Sequence, residues 1–182
     1  MFIHDCGFFN LQKLSNGLYL RAQEKIYKTS YMKVLIIMGS ESDKPVMEES
    51  QKYLQFFGIE SDMVVASAHR NPDKVRELCI TAQEKGFGAV IAAAGMAAAL
   101  PGVVSAYTSL PVLGVPLEGG LPGGVDALYS IVQMPAGLPV GTLAVGKAGA
   151  RNAAVLAARI LALSIPAVAA KVEAFKQNGY RI

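Results

Sequence analysis

The chain has 182 residues, of which 52% are hydrophobic and 17% charged, and its formal net charge is +3. That length suits one domain plus extensions and can bury a core without disulfide or metal staples. So small a charge, with Lys and Arg spread along the chain, speaks against a nucleic-acid partner.

Residues 1–31 mix Phe, Tyr, Asn, Gln and Lys without clear periodicity, and Asp5 interrupts any signal-peptide core. They read as an N-terminal extension of doubtful role, the alternative being a genuine helix packed on the domain. Met32 then opens Met-Lys-Val-Leu-Ile-Ile-Met-Gly-Ser, which has the style of a natural start, so residues 32–182 are taken as a single α/β domain. Val34–Met38 is an apolar run and predicts a strand. Lys44–Phe57 has helical spacing, with Val46, Met47, Leu54 and Phe57 on its apolar side. Ser61–Ala66 predicts a second strand, and Pro72–Lys85 a second helix capped by Asn71 with Pro72 in the first turn. Cys79 falls on that helix as a small buried hydrophobe, and with Cys6 forms no metal or redox motif. Ala89–Ala93 follows as a strand, Leu100–Thr108 as a short helix and Val112–Val115 as a strand. Val125–Met134 reads as helical, Val140–Val145 as the fifth strand, and Asn152–Leu163 and Ile165–Gln177 as closing helices.

Gly86–Leu117 carries no charge. Gly95, Pro101, Gly102 and Pro111 nevertheless break it into pieces too short to cross a bilayer, and buried parallel strands give such runs routinely. The strand–helix alternation predicts an α/β three-layer sandwich around a central parallel sheet, flavodoxin-like, in the order 2-1-3-4-5. Ligands in such sheets sit beyond the carboxyl ends of the strands at the switch point. The loops after Met38, Ala66 and Ala93 are therefore the candidate site. Heavy use of Ala and Gly implies close packing, in a monomer or between copies.

In the first loop, Gly39-Ser40-Glu41-Ser42-Asp43, the glycine permits a tight turn and the hydroxyls and helix start suit a phosphate monoester. Asp43 repels phosphate and better fits a ribose hydroxyl. The alternative is plain capping by Ser42 or Asp43. The second loop, Ser67-Ala68-His69-Arg70-Asn71-Pro72, holds His69, one of two histidines in the chain. Imidazole suits general acid–base work, and Arg70 beside it is a bidentate donor for phosphate or carboxylate. The alternative is a surface histidine next to a cap. The third loop, Ala94–Gly102, has no titratable group and offers shape and a dry wall, or merely a packed turn. Gly119–Gly124 reads as a mobile flap, a subunit contact or a loose connection. Lys147 and Arg151 could reach an anion or be solvated. One histidine in the domain and no paired cysteines leave no zinc constellation.

Met-Gly-Ser-x-Ser-Asp (Met38–Asp43), Ser-Ala-His-Arg-x-Pro (Ser67–Pro72) and Leu-Pro-Gly (Leu100–Gly102) resemble the N5-carboxyaminoimidazole ribonucleotide mutase family. So do Pro111–Pro116, Gly124–Pro135 and Pro139–Ala150, and the resemblance spans roughly residues 33–163. It implies a cytoplasmic homo-octamer of purine biosynthesis, with a ribonucleotide as its small-molecule substrate and no cofactor, metal, nucleic acid or membrane. The reaction would move a carboxylate from the exocyclic nitrogen of the substrate to ring carbon 4. By resemblance Ser40, Ser42 and Arg70 hold the phosphate and Asp43 the ribose. His69 transfers the proton, Ser67 and Ala68 shape its loop, and Gly95, Ala97 and Leu100 line the pocket for base and carbon dioxide. Many members have His before Leu-Pro-Gly where this chain has Ala99, a departure that puts any second-imidazole role in question and places more weight on His69. The nearest rival is a related carboxylase that takes carbon dioxide directly. Lys commonly follows the His in that group, whereas Arg70 resembles the mutase pattern. A non-catalytic nucleotide-binding module, which would not need His69, is the rival from another class.

Overall fold

The computed structural model describes residues 33–182; the proposed extension over 1–31 lies outside them. Five parallel strands run β1 (Lys33–Met38), β2 (Glu60–Val65), β3 (Phe87–Gly95), β4 (Val112–Leu117) and β5 (Gly141–Thr142), in the sheet order β2-β1-β3-β4-β5. The helices are α1 (Lys44–Phe57), α2 (Pro72–Thr81), α3 (Leu100–Tyr107), α4 (Val125–Val132), α5 (Gly146–Ala162) and α6 (Pro166–Gln177). The three-layer flavodoxin-like sandwich expected from the alternation is thus the observed architecture.

The two-residue period of the strands divides the interior. Val34, Ile36 and Met38 of β1 face one core with Ile91, Val115 and the α1, α5 and α6 side chains. Leu35 and Ile37 face the other, with Val90, Ala92 and residues of α2, α3 and α4. Because both faces are covered, the strands read as unbroken apolar runs. The alanine stripe of α5, including Ala150, Ala153, Ala154 and Ala157, is buried within the chain itself. It admits α1 closely enough for buried Ser50 to donate to the Ala150 carbonyl at 2.7 Å. Gly149 lets the start of α5 pack against the segment before it and against β4, since a Cβ there would overlap the Ala144 carbonyl oxygen and lie 3.2 Å from Val115.

Several expected boundaries move. The second helix stops at Thr81, and residues 82–86 form turns. Asn71 is not a side-chain cap: its side chain makes no capping bond, and its φ of −134° and ψ of 52° fall outside the extended geometry of one. Its backbone instead closes a turn, its N–H donating to the Ser67 carbonyl at 2.8 Å. The fifth strand is only Gly141–Thr142, and the helix expected from Asn152 begins at Gly146. Among the described residues no helix is long and apolar enough to cross a membrane.

Candidate active site

The sheet ladder continues past its strands and pins the loops that follow. Gly39 N–H donates to the Ala93 carbonyl at 3.2 Å, and Ala66 N–H to the Met38 carbonyl at 2.9 Å. The three loops after β1, β2 and β3 are therefore seated side by side at the switch point. Together with the end of β4 they enclose an open cleft of about 570 Å³.

From the first loop, Ser40, Ser42 and Asp43 line the cleft. Ser40, rather than Ser42 or Asp43, is the cap of the short 3-10 turn Glu41–Asp43, in a reciprocal capping box. Its N–H donates to Asp43 Oδ2 at 3.0 Å, and its Oγ accepts from Ser42 N–H at 3.4 Å and Ser42 Oγ–H at 2.9 Å. Asp43 itself makes no side-chain capping bond to α1. Burial pushes the Asp43 carboxyl above its ordinary range, against opposing pulls from Ser40 N–H, the Ser42 hydroxyl and the Arg70 charge.

The second loop brings Ser67, Ala68, His69 and Arg70 to the same cleft. Ser67 is buried and its Oγ accepts from Arg70 N–H at 3.3 Å, which stiffens the turn carrying His69. His69 and Arg70 are exposed. Arg70 reaches across to donate to the Gly39 carbonyl at 3.1 Å, joining the two loops. A guanidinium has five N–H donors, so most of its capacity is left unused among the described residues.

Gly95, Ala97 and Leu100 come from the third loop, together with Met96 and Ala99. Gly95 lies so close to β4 that a Cβ there would sit 3.1 Å from the Leu117 carbonyl oxygen. Met96 adopts φ 57°, a left-handed conformation unusual for a residue with a side chain. The cleft thus combines the Arg70 guanidinium and Asp43 carboxylate with the Ser40 and Ser42 hydroxyls, the exposed His69, and a largely apolar lining from Gly95 to Leu100. A phosphorylated sugar would fit the polar groups and a flat base the apolar lining.

Residues 33–181 match the family described as AIR carboxylase. The chain belongs to that family. It is 54% identical over 147 residues to the N5-carboxyaminoimidazole ribonucleotide mutase of Vibrio vulnificus, covering 81% of this chain and 91% of that one. To the mutase of Vibrio cholerae it is 52% identical over 145 residues, covering 80% and 90%. Among solved structures it resembles Treponema denticola PurE, with a TM-score of 0.70 and 28% identity over 81% of this chain and 90% of that one.

Two residues that line the cleft were not placed there by the sequence reading. Glu118 and Gly119 line it from the end of β4. The register of β3 on β4, Gly95 opposite Leu117, carries the next residue into the site. The strand order was signal enough to include that fourth loop end. Gly119–Gly124 is not a loose connection: Pro122–Gly124 is a 3-10 turn, and Leu121 N–H donates to Asp126 Oδ2 at 3.1 Å. Arg151 does not serve an anion in the cleft, since it pairs with Glu49 at 2.9 Å and ties α5 to α1. Lys52 and Arg151 hold the Glu49 carboxyl below its usual range. Lys147 is exposed at the start of α5.

Proposed function

We propose that the chain is an N5-carboxyaminoimidazole ribonucleotide mutase of purine biosynthesis, an isomerase, with His69 as its acid and base. The observation that carries this is the convergence of His69, Arg70 and the Ser40–Asp43 turn on one cleft, in a chain about half identical to mutases over most of its length. Ser40, Ser42 and Arg70 hold the phosphate, and Asp43 takes a ribose hydroxyl. Ser67 and Ala68 set the His69 loop, while Gly95, Ala97 and Leu100 flank the base.

Protonated His69 gives its proton to the carbamate nitrogen. The C–N bond then breaks, its electron pair going to nitrogen, and carbon dioxide is released beside the aminoimidazole. Carbon 4, electron-rich through conjugation with the amine, attacks the carbon of carbon dioxide and forms the new C–C bond. The proton on carbon 4 returns to His69, so one proton moves from carbon to nitrogen as the carboxylate moves the other way. A placed acid–base group contributes about 10²–10⁴-fold in rate, and positioning in the cleft supplies more.

Residues 32–182 form the catalytic domain, a division supported by the span of the family match. A cytoplasmic homo-octamer is the proposed working form. Exposed Leu121, Val125, Tyr129 and Val132, on α4 and the turn before it, supply apolar surface for contact between copies. Light scattering should then give eight times the 19.2 kDa chain mass.

The family description leaves a carboxylase as the second reading. The purified protein is supplied either with N5-carboxyaminoimidazole ribonucleotide, without bicarbonate, or with aminoimidazole ribonucleotide and carbon dioxide. Rapid formation of the 4-carboxy product from the first supports the mutase. Product from the second alone establishes the carboxylase.

A further inference from the structure

Met96 stands at a position where its backbone argues for glycine and its side chain serves no core. Its φ of 57° is a conformation that residues with a Cβ populate at a cost, and such outliers persist where the surroundings impose them. The side chain is 60% exposed and belongs to neither hydrophobic core, so folding does not account for it. It lies instead across the cleft rim. A Cβ built on Gly119 or Gly120 would stand 3.7 or 3.5 Å from Met96 Cγ, so the methionine rests on the bare backbone of the loop after β4. The loop beneath it is tightly turned, with Ala98 N–H on the Met96 carbonyl at 2.9 Å and Ala99 N–H on the Ala97 carbonyl at 2.7 Å. Ala97 and Ala99 bring only methyl groups to this side, and Gly119 brings none. Met96 thus carries a long side chain from the loop after β3 onto the backbone of the loop after β4.

We infer that Met96, seated on Gly119 and Gly120, is the wall that keeps released carbon dioxide in the cleft until carbon 4 captures it. The inference rests on the mutase reading and adds a positioning residue to it. Carbon dioxide is small and uncharged, and it is better confined by an apolar, adaptable surface than by a hydrogen bond. A thioether chain covers the opening while still yielding to let a ribonucleotide in. Met96 acts through confinement and transfers no proton.

The test follows the carboxylate carbon. N5-carboxyaminoimidazole ribonucleotide labelled with ¹³C in its carboxylate is converted by the full-length protein in unlabelled bicarbonate with carbonic anhydrase, so that any escaped carbon dioxide is diluted at once. Wild type should retain the label in the 4-carboxy product. Met96→Gly suits the left-handed backbone and should fold. It should lose label severalfold more per product formed and release free aminoimidazole ribonucleotide. Met96→Leu restores the bulk and should restore retention. Undiminished retention in Met96→Gly overturns the inference, as does a Met96→Leu protein that leaks like the glycine variant. A wild-type protein that converts no substrate refutes the mutase reading and the wall with it, and that result stands apart because it precedes any variant.

Discussion

Arg70 provides a test in which binding and folding separate. Its guanidinium is exposed and makes a single hydrogen bond among the described residues, to the Gly39 carbonyl at 3.1 Å. Removing an exposed side chain of this kind changes stability by about 0.5 kcal/mol or less. In the complex the same group would face a phosphate, and a hydrogen bond to a charged group contributes about 1.5–3 kcal/mol. Arg70→Ala is thus expected to weaken binding of aminoimidazole ribonucleotide by roughly 10- to 150-fold. The matching nucleoside, which lacks the phosphate, should bind wild type and variant alike. Isothermal titration with both ligands completes a double-mutant cycle, and thermal denaturation checks the fold. Equal losses for nucleotide and nucleoside would refute the assignment of Arg70 to phosphate. A large drop in melting temperature would refute the separation itself.

Asp43 links the site to pH. Because burial raises its carboxyl in the folded state, the stability tied to the protonated form is present below its unfolded pKa and is lost as pH rises through the folded one. Asp43→Asn keeps an acceptor for Ser40 N–H, so it should raise the melting temperature near neutrality and give no gain in acid. A gain of the same size at every pH contradicts this. Cys79 is buried and its thiol is pushed up to about 11 by desolvation. Thiol reagents should therefore label it, as located by mass spectrometry, only on unfolding, and prompt labelling under native conditions would contradict its placement. Gly149→Ala forces a methyl onto the Ala144 carbonyl. It should cost about 1–3 kcal/mol, lowering the melting temperature by about 2–4 °C per kcal/mol; an unchanged midpoint would show that the α5 start relaxes freely.

Where hydrophobic period and burial agree, the fold was legible. Val34–Met38 is a strand buried on both faces, and Met47, Leu54 and Phe57 are the buried stripe of α1. Parallel strands with helical crossovers leave few arrangements, so the strand order followed, and with it the switch point that collects His69, Arg70 and Asp43. Local apolar content could not set the length of β5. Val140–Val145 is apolar apart from Thr142, but only Gly141 and Thr142 pair with β4 before the chain turns into α5. Asn71 looked like a cap because residue type was the sole guide, whereas the Ser67–Asn71 turn decides its dihedral angles. Met96 carries no glycine signal for its positive φ, and Glu118 enters the cleft only through strand register.

The most direct measurement is turnover of N5-carboxyaminoimidazole ribonucleotide by His69→Asn beside wild type, with nucleotide affinity measured in parallel. The expected result is conversion by wild type, near-normal binding by the variant, and a rate lowered by about 10²–10⁴-fold or more. Unchanged turnover in the variant would contradict the role of His69 and the mechanism built on it.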